Sequence, residues 1–174
     1  MIVLTNKLLY IITTTALLAT ACQSFNPPSD STGSALRYHN TQSGFTFFLP
    51  ASWRGYSVLN KQWEGQTYLP ANNTTLTVAH GPVIVLRHPQ WTVSDPYQDI
   101  TFLVYTRSQW DGEKLGKFSS TFYAGGTMVE MWHNHKYVFA MSTHDGKAEL
   151  NGWREVNEIV SQNVHANAPH LYPE

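Results

Sequence analysis

The sequence predicts an α+β domain built on a mostly antiparallel sheet flanked by helices. Three observations carry that expectation. Short runs of alternating or continuous apolar residues recur from Leu36 onward, each bounded by Gly, Pro or Asn. Only two segments, beginning near Ser108 and near Asn151, carry helix-start signals. Aromatic residues make up 13% of the chain and charged residues also 13%, the balance of a packed globular protein and not of a disordered one.

The elements follow in order. Arg37 to Asn40 and Phe45 to Leu49 read as a hairpin turned at Gln42-Ser43-Gly44, with Phe45, Phe47 and Leu49 alternating with Thr46 and Phe48 until Pro50 stops the run. Tyr56 to Trp63 is a second alternating stretch. Gln66 to Ala79 is polar, contains Asn72-Asn73-Thr74-Thr75, and reads as a long exposed loop suited to recognition. Val83 to Leu86 is continuously apolar between Gly81-Pro82 and Pro89, the pattern of a strand buried on both faces, and Ile100 to Tyr105 is of the same type. Ser108, with Asp111 three residues on, predicts a short helix to about Lys117, against the helix-weakening Gly112 and Gly116. Thr127 to Trp132 and Lys136 to Met141 read as a hairpin turned at His133-Asn134-His135. Asn151 is placed to cap a helix to about Asn163, with Trp153, Val156, Ile159 and Val160 on its apolar stripe and Arg154, Glu155, Asn157 and Glu158 facing away.

The first 21 residues have a different character. Lys7 is followed by the apolar run Leu8 to Ala21, which Thr13, Thr14 and Thr15 dilute. A spanning helix needs about 20 predominantly apolar residues, so this run reads as a secretory signal peptide that is removed. The stretch Leu18-Ala19-Thr20-Ala21-Cys22 resembles the lipobox of bacterial lipoproteins, with Ala19 in the place usually held by leucine, and Cys22 is the only cysteine in the chain. The resemblance implies cleavage before Cys22 and acylation, palmitate included, of that cysteine. It thus implies export and attachment to a membrane of the cell envelope. Gln23, where an aspartate would imply retention at the inner membrane, implies the outer membrane facing the periplasm in a cell with two. Each buried methylene of such an anchor contributes about 0.8 kcal/mol, so several acyl chains hold firmly.

The remaining organisation is simple. Residues 22–35 form a Pro/Ser/Gly-rich tether of roughly 20 Å reach, 36–164 a single globular domain, and 165–174 a flexible tail. YHNTQSGFTFFLPASWRGYSV (Tyr38 to Val58), with GPVIVLRHPQW and PYQDI beyond it, resembles a family of small uncharacterised bacterial proteins. Its opening pattern is also similar to the domain typified by the photosystem protein PsbP and the Ran-binding protein Mog1. That similarity implies a three-layer α/β/α sandwich and brings no catalytic residue with it.

Eleven Lys and Arg stand against 12 Asp and Glu, which leaves no basic face for a nucleic-acid partner. Phosphate-binding, zincin, CxxC and GxSxG signatures are missing, and no cofactor is expected. His133 and His135 share a face if the local chain is extended, and His80, His88 or Glu130 is a conceivable third metal ligand. The bland alternative is two solvated histidines beside a turn. His144 and Asp145, next to Ser142 and Thr143, read as a turn closed by Gly146, because the side chains of a catalytic relay converge from separate elements. Trp63, Trp91, Tyr97 and Trp110, with Trp132 and Tyr123, are candidates for a binding surface, while Trp53 and Trp153 read as packing residues. The expectation is a non-catalytic envelope lipoprotein, anchored by its N-terminal lipid, whose domain binds or assembles another envelope protein. The alternatives are a small metal-dependent hydrolase using His133 and His135, or a carbohydrate-binding module built on exposed tryptophans.

Overall fold

A computed structural model describes residues 35–122, 127–142 and 150–167. The chain opens on the antiparallel hairpin β1 (Leu36–Asn40) and β2 (Phe45–Leu49), where Asn40 pairs with Phe45 and the Asn40 carboxamide oxygen accepts the N–H of Ser43 across the turn. There follow β3 (Ser57–Leu69), β4 (Thr74–Arg87), β5 (Ile100–Thr106), α1 (Arg107–Lys114), β6 (Ser119–Ser120), β7 (Met128–His133), β8 (Tyr137–Ser142) and α2 (Trp153–Asn167). Strands β3 to β8 form one sheet in the order β6-β3-β4-β5-β8-β7, every neighbouring pair antiparallel. The α+β class expected from the strand and helix signals is the class observed.

Alternation along the central strands sends side chains to two cores. Ile84, Leu86, Phe102, Val104 and Phe139 meet Phe45, Phe47 and Leu49 of the hairpin and Val156, Ile159 and Val160 of α2. Val83, Val85, Leu103, Tyr105, Val138 and Ala140 point the other way, onto Trp63 and onto Trp110 of α1. With a helix over each face, β4 and β5 carry no solvent-facing positions in their paired middles, which is why their sequences are continuously apolar. Among the described residues, no helix is long and apolar enough to cross a membrane.

Several expectations need correction. Gln66 to Ala79 is not a loop. β3 and β4 stay paired from Ser57 with Arg87 out to Leu69 with Thr74, and turn through Pro70–Asn72 and Asn73, whose φ of +49° asparagine tolerates. The polar residues here are largely β-branched threonines, and β-branching outweighs polarity in choosing strand. In α1, Thr106 caps instead of Ser108, and Gln109 instead of Asp111 closes the capping box, while the helix ends at Lys114 and not Lys117. Asn151 bridges to Tyr97 and donates its amide to Asp95, so α2 starts at Trp153, and it runs past the expected domain end at 164 to Asn167. Val156, Ile159 and Val160 are buried as expected, but Trp153 is only half-buried and Glu155 turns inward. Cys22, Tyr123 and the segment of His144 and Asp145, where a turn was expected, lie outside the described residues.

Two carboxamides join separate parts of the fold. Asn163 of α2 accepts the N–H of Phe48 and donates to the Phe48 carbonyl, so one side chain pairs with β2 as a neighbouring strand would. Asn134, in the β7–β8 turn, accepts the N–H groups of Lys136 and Tyr137 and donates to the Ser43 carbonyl in the β1–β2 turn.

The sheet changes character at Gly81-Pro82. The β4–β5 ladder ends with Val83 opposite Leu103, and the next position in register would set Pro82 opposite Val104. Proline has no N–H to give, so the Val104 carbonyl takes the indole N–H of Trp63 instead, at 3.0 Å from across β4. The ring reaches it by lying over Gly81, where a Cβ would stand 2.6 Å from Trp63 Nε1 and 2.7 Å from the Val104 oxygen. Beyond this point β3 and β4 continue as a two-stranded arm, with only β6 beside β3 at Gly65 and Gln66. Gly81→Ala is expected to destabilise the domain by about 1–3 kcal/mol through overpacking, read as a lower urea midpoint at unchanged slope. A variant as stable as the parent would mean that the ring has room to shift.

Candidate functional site

Trp63, Trp91, Tyr97 and Trp110, all expected on a binding surface, divide between two places. Trp63 is fully buried and Trp110 nearly so, both in the core beneath α1, so neither belongs to an exposed surface. They form a run of rings, with Trp110 5.3 Å from Tyr105, Tyr105 4.4 Å from Trp63 and Trp63 6.0 Å from Phe118. Trp132 is buried in the opposite core. An aromatic residue at a strand position is indistinguishable in sequence from a surface one when both faces of the sheet are covered. Trp53, Trp63, Trp110 and Trp132 are buried and so are closed to a sugar, while Trp91 and Trp153 are half-buried.

Trp91 and Tyr97, by contrast, are brought together in the segment that joins β4 to β5. Arg87, at the end of β4, grips Asp99 with two nitrogens at 3.1 and 2.7 Å and lays its guanidinium over the Trp91 ring at 3.8 Å. Tyr97 stacks on His88 with centroids 4.0 Å apart, and Trp53 meets the same imidazole edge-on at 5.0 Å. The Tyr97 hydroxyl donates to Glu155 at 2.5 Å, and Ser52 donates to the other carboxylate oxygen at 2.6 Å. One carboxylate at the start of α2 thus fastens the 3₁₀ turn Ala51–Trp53, the β4–β5 segment and the helix.

The electrostatics agree with a closed fastening. Burial pushes the Glu155 carboxyl up, but hydrogen bonds from Ser52 and Tyr97 together with His88 outweigh it and hold it below its ordinary range. Burial, assisted by the bond to Glu155, pushes the Tyr97 hydroxyl up to about 12. Burial also lowers His88, against the opposing influence of Glu155 and the Ser52 carbonyl.

A serine, a histidine and a glutamate therefore meet, but not in relay order. Ser52 gives its proton directly to the carboxylate, and His88 Nδ1 already accepts the N–H of Gln90 at 3.2 Å. That imidazole cannot take the hydroxyl proton, so the group has the geometry of a clasp and not of an activated nucleophile.

His133 is paired with Glu130 at 2.5 Å, while His135 is exposed. His80 lies exposed on β4 and His88 is buried in the clasp. Among the described residues, no three His, Cys, Asp or Glu side chains stand close enough to hold an ion. The turn at Asn134 is where it was expected, with His133 as the last residue of β7 before it.

On the opposite side of the sheet, Tyr105 donates to Ser120 at 3.0 Å, and Ser120 in turn offers its N–H to Glu113. Burial raises the Glu113 carboxyl, with the Ser120 bonds opposing. A shallow open groove of about 520 Å³ lies nearby, lined by Val78, Ala79, His80, Gln109, Lys117 and Phe118, where the two-stranded arm leaves the sheet. The arm itself exposes Tyr68 by 57%, Leu76 by 43% and Val78 by 53%.

Comparison of the chain with protein-family models, with curated proteins and with solved structures gives no match.

Sequence reasoning missed Glu155, which it placed on the solvent face of α2, and it missed Ser52 and His88 as partners. The one local signal was Gly152, which takes φ +78° and admits the Tyr97 ring so closely that a Cβ would lie 1.9 Å from Tyr97 Cε1. Gly152→Ala is expected to expel Tyr97 from the clasp and lower stability by more than 1 kcal/mol, roughly the cost of a left-handed non-glycine residue alone. Near-ultraviolet dichroism of the tyrosines would report the expulsion, and an unchanged spectrum with unchanged stability would remove the clasp. Because Tyr97 titrates higher folded than unfolded, its contribution is full below pH 10 and is lost as pH rises through about 12. Tyr97→Phe should accordingly give a shallower alkaline fall in urea midpoint than the parent, and an identical slope would contradict the assignment.

Proposed function

We propose that this chain is a membrane-anchored lipoprotein of the bacterial cell envelope whose non-catalytic domain binds another protein of that compartment through the β3–β4 arm. The observation that carries the reading is the arm's surface. From Gln66 to Ala79 the sequence contains no Lys, Arg, Asp or Glu, and Tyr68, Leu76 and Val78 stand exposed on it. Aromatic and aliphatic side chains with charge depleted around them are the composition of interface cores, not of ordinary solvated strands. The arm is held stiffly at its root by Trp63 and by Gln109, whose amide donates to the His80 carbonyl at 2.9 Å. A preformed, rigid projection loses little entropy on docking.

The address rests on the lipobox-like Leu18-Ala19-Thr20-Ala21-Cys22, with the outer membrane facing the periplasm as the site in a two-membrane cell. A PsbP/Mog1-type α/β/α sandwich is the fold type we assign. What supports it is the leading hairpin with Tyr38 and Trp53 and a sheet with helices packed on both faces.

Intact mass of the protein recovered from membranes, compared with Cys22→Ser, tests the anchor. A diacylglyceryl-bearing N-terminus lost in the variant is expected, and an unmodified mass in the soluble fraction would overturn it. The arm is tested by a photo-crosslinking residue introduced at Thr75 in cells. A discrete adduct should form, and should disappear when Tyr68→Ser, Leu76→Ser and Val78→Ser are combined. An adduct pattern indifferent to those three substitutions would sink the arm as the contact.

A further inference from the structure

The imidazole of His88 sits at the one point where the β4–β5 segment, the Ala51–Trp53 turn and α2 converge. It is only 4% exposed, between the stacked Tyr97 ring and the edge of Trp53. Its Nδ1 accepts the N–H of Gln90, which fixes the neutral tautomer with the proton on Nε2. Nε2 is buried without a hydrogen bond of good geometry. The His88 carbonyl accepts the N–H of Trp91 at 3.0 Å, so the turn that leads into the segment is folded around this residue's own backbone and ring.

A proton arriving on this ring can only go to Nδ1, and there it would face the Gln90 N–H, donor against donor. The ring cannot be protonated in place without breaking that contact. Burial adds to the resistance, since a cation between two aromatic rings loses its hydration. The ionisable groups around it are few. Glu155 faces it from α2 and favours the cation, and Tyr97 stacks on it as a neutral phenol. Arg87, beside it on β4, is committed to Asp99. The turn contributes Ser52 and Trp53, neither of which ionises.

We infer that His88 is a proton-operated latch, and that protonating it releases residues 88–99 from the start of α2 and frees Trp91 and Tyr97. The closed form excludes the proton and the open form binds it with an ordinary histidine affinity. The open population therefore rises up to about tenfold for each pH unit below the ordinary histidine range, until the closed form also titrates. The remainder of the sheet keeps its pairing, because β4 is held independently by β3 and β5.

The test is nuclear magnetic resonance on the native chain between pH 8 and pH 4.5. Ring signals of His88, assigned by their loss in His88→Gln, should titrate together with the amide signals of Gln90 and Trp91. Hydrogen exchange in 88–99, corrected for its intrinsic pH dependence, should accelerate by up to tenfold per unit over the same range while β4 and β5 stay protected. In His88→Gln that acceleration should be absent. A ring that titrates while the Gln90 and Trp91 amides and the exchange of 88–99 stay fixed would overturn the latch. So would an identical acceleration in His88→Gln, or loss of protection in 88–99 only with global unfolding. If His88→Gln does not fold, coincidence or non-coincidence of the ring and amide titrations in the native chain decides the matter alone.

Discussion

The Val104 carbonyl, deprived of a donor by Pro82, sets the shape of the sheet. In an antiparallel ladder a buried carbonyl without a partner costs about 1–3 kcal/mol, and proline at that position would ordinarily end the strand or lie at an edge. Here the indole of Trp63 reaches across β4 to supply the missing N–H, and Gly81 leaves the space through which it passes. This arrangement lets β4 run 14 residues while β5 accompanies it for only its last third. The division into a five-stranded body and a two-stranded arm, which the proposed function uses, follows from one missing N–H.

Polar side chains do the remaining long-range joining, in a chain where apolar burial supplies most of the stability. Asn163 substitutes for a strand against β2, Asn134 ties the two turns together, and Glu155 fastens three segments at the start of α2. Each is hydrogen-bonded with directional specificity, so each fixes how one covering layer sits on the sheet, which apolar contact alone leaves adjustable. The clasp around Glu155 also places the imidazole of His88 between two aromatic rings. That is how a structural fastening comes to be sensitive to protons.

Much of the body was legible in the sequence because both covered faces leave period-two or continuous apolar runs. The β1–β2 hairpin, the cores of β4 and β5, the β7–β8 hairpin turned at Asn134 and the apolar stripe of α2 all announce themselves in that way. The arm did not, since threonine is polar by composition and strand-forming by branching, and only the latter counts in the fold. The clasp was illegible for a different reason. Glu155 lies on the polar side of an amphipathic helix by periodicity, and nothing local reveals that Ser52, 103 residues earlier in the chain, is its partner. Trp63 looked like a surface aromatic for the same reason, because its role depends on Pro82 and Val104 in two other strands.

The claim that bears most weight is that the Trp63 indole stands in for the backbone donor absent at Pro82. Hydrogen exchange of that single indole N–H, followed by nuclear magnetic resonance, tests it most directly. The account predicts exchange as slow as that of the slowest amides of β5, occurring only through global unfolding. Exchange as fast as that of the half-exposed Trp91 indole would show the bond to be unmade, and the arm would need another cause.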